Sequence, residues 1–170
     1  MIELNDITKH DFLNRYFVAS LLDAGVDMSD ATYFIVHEVY LDKDFVVLGK
    51  PREEDAYKFN DIIPTYTISQ LHFKLHEWIY PPIDGKEYYG GLSYYKDAPF
   101  YIFYYELKHT QENGEVLTDN EYFSAEGETP IESLAYLLIQ CHKKDIGCRY
   151  PDTGDIRDKY NKYTWKNETL

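Results

Sequence analysis

Two histidines, His72 and His76, stand four residues apart with Glu77 beside them. On a helix that spacing puts both imidazoles on one face, which is half of a zinc site. The order is not that of a metalloprotease, and the sequence identifies no third ligand. His72 also falls on the apolar stripe of its helix, where a core histidine would sit. Cys141, His142 and Cys148 form a looser cluster. Neighbouring side chains on a helix point apart, so Cys141 and His142 cannot act as nucleophile and base, and Cys141 reads as a buried apolar residue. Asp152, Asp155 and Asp158 surround Gly154 without the spacing or closing glutamate of a calcium loop. Glu106 lies at the end of an aromatic run, a candidate buried acid, although a charge at a strand end is more often solvated. The chain contains no phosphate-binding loop, dinucleotide fingerprint, nucleophile elbow or kinase signature. No catalytic residue and no cofactor are expected.

Composition points away from several partners. With 30 acidic against 17 basic residues the net charge is −13. That field repels phosphate backbones and suits a cationic partner. Two cysteines are too few for a disulfide framework. The N-terminus lacks the pattern of a secretory signal, and no apolar run is long enough to span a bilayer, so the expectation is a cytoplasmic protein off the membrane. The 170 residues fit one domain, read as residues 1–150 followed by an irregular tail over 151–170.

The chain holds 18 tyrosines, and aromatics make up 17% of it. Tyrosine buries a ring and keeps a polar edge, which serves half-buried sheets and contact surfaces alike. Tyr94, Tyr101, Phe103 and Tyr105 are therefore the expected binding surface, an aromatic sheet face for a protein partner of unknown identity or for a second copy of the chain.

Several elements are expected to carry these residues. Thr8 and Asp11 resemble a capping box for a first helix that Gly25 ends, with Phe12 stapled to Ile7. Residues 32–41 and 45–48 read as strands, with a helix from Ser29 as the competing reading. The polar stretch 49–63 reads as a loop. Thr67 and Gln70 cap a second helix whose apolar stripe continues through Trp78 and Ile79, and Pro81 and Pro82 stop it. A β-meander follows over residues 88–125, with strands at 90–95, 100–108 and 116–125. Asp97 to Pro99 and Asn113-Gly114 form its turns, and Asp119-Asn120 is a candidate bulge. The middle strand is apolar on both faces, so both are expected to be covered. Thr129, Pro130 and Glu132 start a third helix that Gly147 ends. One further helical turn is read around 156–160. The fold class is α+β: an antiparallel sheet of about four or five strands with about three helices packed on one face.

The segments Ala24-Gly25-Val26-Asp27, Ser29 to Tyr33, Ile63 to Leu71, Phe123 to Glu126 and Pro130 to Ala135 follow one another in a recognisable order. In this the chain resembles small uncharacterised proteins of phages, prophages and mobile elements in gut Bacteroidales. The likeness runs over roughly residues 8–145 and consists of helix starts, so it implies a layout and brings no site residue with it. It departs from the pattern over residues 84–95 and in the tail. Together these features make the expected function that of a non-enzymatic accessory protein acting by protein binding. Alternatives are an immunity or anti-defence protein holding a basic nuclease or toxin, a nucleotide-binding protein, and an enzyme with convergent polar side chains in a cleft.

Overall fold

The computed structural model describes residues 1–5, 10–75, 78–79, 81–83, 86–119 and 123–144. The expectations that fall on Ile7, Thr8, His76, Glu77, Asn120, Gly147, Cys148, the aspartates around Gly154 and the whole 151–170 tail lie outside the described residues.

The chain is an α+β fold; among the described residues it has two main antiparallel sheets and a two-stranded one in place of the single sheet expected. The smaller sheet has the order β1–β3–β2–β4, from β1 (Ile2–Glu3), β2 (Tyr33–Glu38), β3 (Lys43–Leu48) and β4 (Phe59–Thr65). The reading of residues 33–48 as strands holds. The expected loop over 49–63 does not: Glu53–Lys58 is a short 3-10 helix and Phe59–Thr65 is an edge strand on β2. An edge strand needs a partner on one side only, so even its polar Asn60 and Asp61 are tolerated.

The larger sheet is built on β9 (Phe100–Thr110), whose residues Phe100 to Lys108 pair with β8 (Tyr89–Asp97). On the other side of β9 lie β10 (Val116–Asp119) and then β11 (Ser124–Gly127). The expected third meander strand is thus described as two strands, both paired with β9. Gly114 takes φ +83° in the turn between β9 and β10, as the Asn-Gly signal requires. Two-residue β5 (Trp78–Ile79) pairs with Gly90 and Gly91 of β8, and β6 (Pro82–Ile83) pairs with β7 (Lys86–Glu87).

Among the described residues, three α-helices complete the fold. Helix α1 (Arg15–Asp23) starts later than expected. Asn14 is its cap, accepting from the Phe17 N–H at 3.1 Å. Phe12 and Leu13 are tied elsewhere: Phe12 bridges to Thr67, and Leu13 donates its N–H to the Tyr66 carbonyl at 2.9 Å. Gly25 follows at φ +85° and ends the helix as expected. Helix α2 (Ile68–Lys74) and helix α3 (Pro130–Lys143) both begin with complete capping boxes, Thr67 with Gln70 and Thr129 with Glu132. Helix α2 stops early: Leu75 takes extended backbone at ψ 126°, and Ile79 belongs to β5.

One core joins the helices to the larger sheet, and a smaller cluster of Phe12, Ile35 and Val46 lies on the smaller sheet. Phe17, Val18 and Leu21 of α1, Leu71 of α2 and Leu134, Leu137 and Leu138 of α3 meet Phe103, Tyr105 and Leu107 of β9. Helix α3 lies directly on β9 and β11, and α1 and α2 pack against α3. Its start is fixed by close approach. A side chain at Gly127 would meet the Ser133 N at 2.5 Å, so only glycine lets β11 run this near the helix. Ser133 is fully buried. Its hydroxyl donates to the Ala125 carbonyl at 2.6 Å and accepts from the Phe103 N–H at 3.0 Å, which ties β9, β11 and α3 at one point.

The expectation that both faces of β9 are covered is only half met. Phe103, Tyr105 and Leu107 are buried, whereas Ile102, Tyr104 and Glu106 on the other face are half-buried. Among the described residues, all three helices belong to the core on the first face.

Candidate functional site

The four expected surface residues do not form one surface. In strand register Tyr94 pairs with Phe103 and Lys96 with Tyr101, so all of these share the core face with Tyr105. Tyr105 is fully buried and Phe103 nearly so, at 7% exposure; both are core residues. Tyr101 is half-buried under the Lys96 ammonium, 4.9 Å from its ring centroid. Tyr94 is the exposed member at 68%, stacked on Phe103 at 5.3 Å beyond the helices.

The accessible aromatic face is the opposite one. Tyr95, Ile102 and Glu126 form a row across β8, β9 and β11; Ser93, Tyr104 and Ser124 form the next. Tyr95 is half exposed, at 50%, and meets Tyr104 edge to face at 5.7 Å. Asp97 and Glu126 are exposed at its margins. Glu106 is no buried acid: it is partly exposed and pairs with Lys108 at 3.2 Å. Beside this face, β8 presents a second feature. Only Gly90 and Gly91 meet β5, so among the described residues the backbone of Leu92 to Asp97 has no partner strand on its outer side. Alternation alone does not tell which of the two faces is buried. The usable signal was the continuation of each parity, because the Phe103–Tyr105 series runs on into Leu107 and the Ile102–Tyr104 series into Glu106 and Lys108.

A second candidate is a cleft of about 230 Å³ lined by Asp30, Tyr66, Ser69, Gln70, Phe73 and Lys74. The Tyr66 hydroxyl donates to Asp30 Oδ1 at 2.5 Å, and Lys74 Nζ lies 2.8 Å from Asp30 Oδ2 and 2.9 Å from the Asp27 carbonyl. Burial, reinforced by the Asp30 carboxylate, pushes the Tyr66 phenol far above its ordinary range. At Asp30 burial acts to raise the carboxyl, but hydrogen bonds from Lys74 and Tyr66 outweigh it and hold the group below its usual range. Asp27 is held low by the backbone N–H and then the hydroxyl of Ser29. These polar groups satisfy one another and anchor the 27–30 turn to α2. A phenol held so firmly neutral cannot serve as a base. His72 on α2 is exposed and off the core stripe, contrary to the sequence reading.

Replacing Tyr66 with phenylalanine removes the hydroxyl from Asp30 and costs about 1–3 kcal/mol near neutral pH. Because the phenol's folded pKa lies above its unfolded value, its contribution is complete below about pH 10 and falls away as the unfolded state ionises above it. Thermal melts between neutral and strongly alkaline pH should therefore converge for the wild type and Tyr66→Phe. A constant gap across that range would contradict the assignment.

A third cluster surrounds His37, whose Nδ1 lies 3.0 Å from Asp44 and whose Nε2 lies 3.3 Å from Asp42. Arg15 bonds the same Asp44 oxygen at 3.1 Å. The two ring nitrogens face different carboxylates, so the set does not converge on a shared centre. No group of three or more metal-ligating side chains occurs among the described residues.

The fold and surface define an α+β protein of two antiparallel sheets whose larger sheet leaves an aromatic, carboxylate-edged face accessible. Comparison with protein families, with curated proteins and with solved structures gives no match for this chain. Among the described residues, no helix is long and apolar enough to cross a membrane.

Proposed function

We propose that this chain is a non-enzymatic accessory protein, of the kind mobile elements carry, which acts in the cytoplasm by holding another protein on the open face of its larger sheet. The observation that carries this reading is the exposed Tyr95, set against Tyr104 beside the outer edge of β8, which has no partner strand over Leu92 to Asp97 among the described residues. Exposed tyrosines offer large contact area at small entropic cost, and an unpaired strand edge offers backbone hydrogen bonds to a second chain. The resemblance of the sequence supports the accessory role. The cleft at Tyr66, about 230 Å³, is smaller than the roughly 300 Å³ at which ordinary ligand pockets begin, so it offers nucleotide binding no support. An immunity or anti-defence role toward a basic nuclease or toxin is the form of the reading that the net charge of −13 favours.

A photo-crosslinking side chain placed at Tyr95 tests the proposal in a lysate of the native cell. It should yield a discrete protein adduct that the same group at Glu53, exposed on the 3-10 helix, does not. Identical diffuse products from both positions would count against the surface.

A further inference from the structure

Resting on that reading, we infer that the open face of the larger sheet takes a cationic partner, a protein segment presenting arginine or lysine side chains over Tyr95 and Tyr104. Three features of the face point to this chemistry. First, it carries uncompensated negative charge. Glu106 is neutralised by Lys108, but Asp97 and Glu126 have no ion-pair partner among the described residues. Second, its rings lack cations. Elsewhere in the molecule aromatic rings hold the chain's own lysines: Lys58 over Tyr57 at 5.4 Å, Lys74 over Tyr66 at 5.5 Å, Lys96 over Tyr101 at 4.9 Å and Lys144 over Phe123 at 4.6 Å. Tyr95 and Tyr104 touch each other, and no cation among the described residues covers either. Third, the spacing suits extended basic side chains. Asp97 lies two residues from Tyr95 on the same face, about 7 Å along the strand, and Glu126 lies two strands away, about 10 Å across the sheet. A guanidinium stacked on a tyrosine ring there reaches a carboxylate on either side, combining cation–π attraction with a charge-assisted hydrogen bond. The net charge of −13 adds long-range attraction for the same partner and repels acidic ones.

Selection of random linear peptides from a displayed library on the whole protein tests this. The selected peptides should be rich in arginine and lysine. They should bind Tyr95→Ala, and separately the double variant Asp97→Asn with Glu126→Gln, about tenfold more weakly than the wild type. A second double variant, Glu53→Gln with Glu54→Gln, removes the same charge from the exposed 3-10 helix and should bind as the wild type does. Equal weakening in both double variants would assign the attraction to the overall field and overturn the inference. Peptides that depend on Tyr95 but are neutral or acidic would overturn it too, while leaving the proposed protein-binding role standing. If no selected peptide depends on Tyr95, both fall. All the substituted side chains are exposed, so each variant is expected to fold, and a thermal melt verifies it.

Discussion

Replacing Ser133 with alanine should lower the unfolding free energy by about 2–4 kcal/mol, although only one oxygen atom is lost. The hydroxyl is fully buried and serves two backbone groups at once, the Ala125 carbonyl and the Phe103 N–H. Alanine leaves both without that partner in a site water cannot easily enter, and the cost is the desolvation of each. For a domain of this size that corresponds to a fall in melting temperature of about 5–15 °C. Denaturant titration should show a lower midpoint with an unchanged slope. Threonine would keep the oxygen but add a methyl group where α3 already presses on Gly127, so it should not rescue fully. A Ser133→Ala midpoint within error of the wild type would mean that the bridge adds nothing to the packing of α3 on the sheet.

The second large effect separates two tyrosines that resemble each other in the sequence. Tyr105→Ala removes a fully buried ring from the centre of the core and should cost about 3–5 kcal/mol, a large part of the stability of an ordinary domain. Tyr95→Ala, on a half-exposed ring one strand away, should stay within about 0.5–1 kcal/mol, the worth of its edge-to-face contact with Tyr104. Equilibrium unfolding of both variants in the same denaturant makes the comparison. Similar losses at the two positions would mean that Tyr95 is also a core residue, and the open face would lose its central feature. The pair also guards the binding experiments, because a variant at Tyr105 would lose binding merely by unfolding.

The features legible in the sequence are those whose physics is local. The boxes at Thr67 with Gln70 and Thr129 with Glu132 satisfy helix N–H groups within four residues, so they work wherever the helix lies. Gly25 and Gly114 take the positive φ that their turns demand, again without outside help. The same local logic failed at the first helix. Thr8 itself lies outside the described residues, but Phe12 and Leu13, expected in the first turn, pair instead with Thr67 and Tyr66, more than fifty residues away, and Asn14 is the cap. The stripe through Ile79 looked helical until Gly90 offered it a strand, and the polar stretch at 59–65 looked irregular until β2 paired with it.

The candidate site was legible in composition, and in direction only through the charged continuation of one parity into Glu106 and Lys108. The sequence by itself determined an acidic, tyrosine-rich α+β chain with a long aromatic strand near its middle, because charge balance and period-two alternation need no knowledge of neighbours. Which side of that strand meets water was decided only when α3 settled on β9 and β11 through Ser133 and Gly127. A strand apolar on both faces is ambiguous by construction, since burial of either lowers the free energy. The face of β9 on which α3 packs is the one that is core.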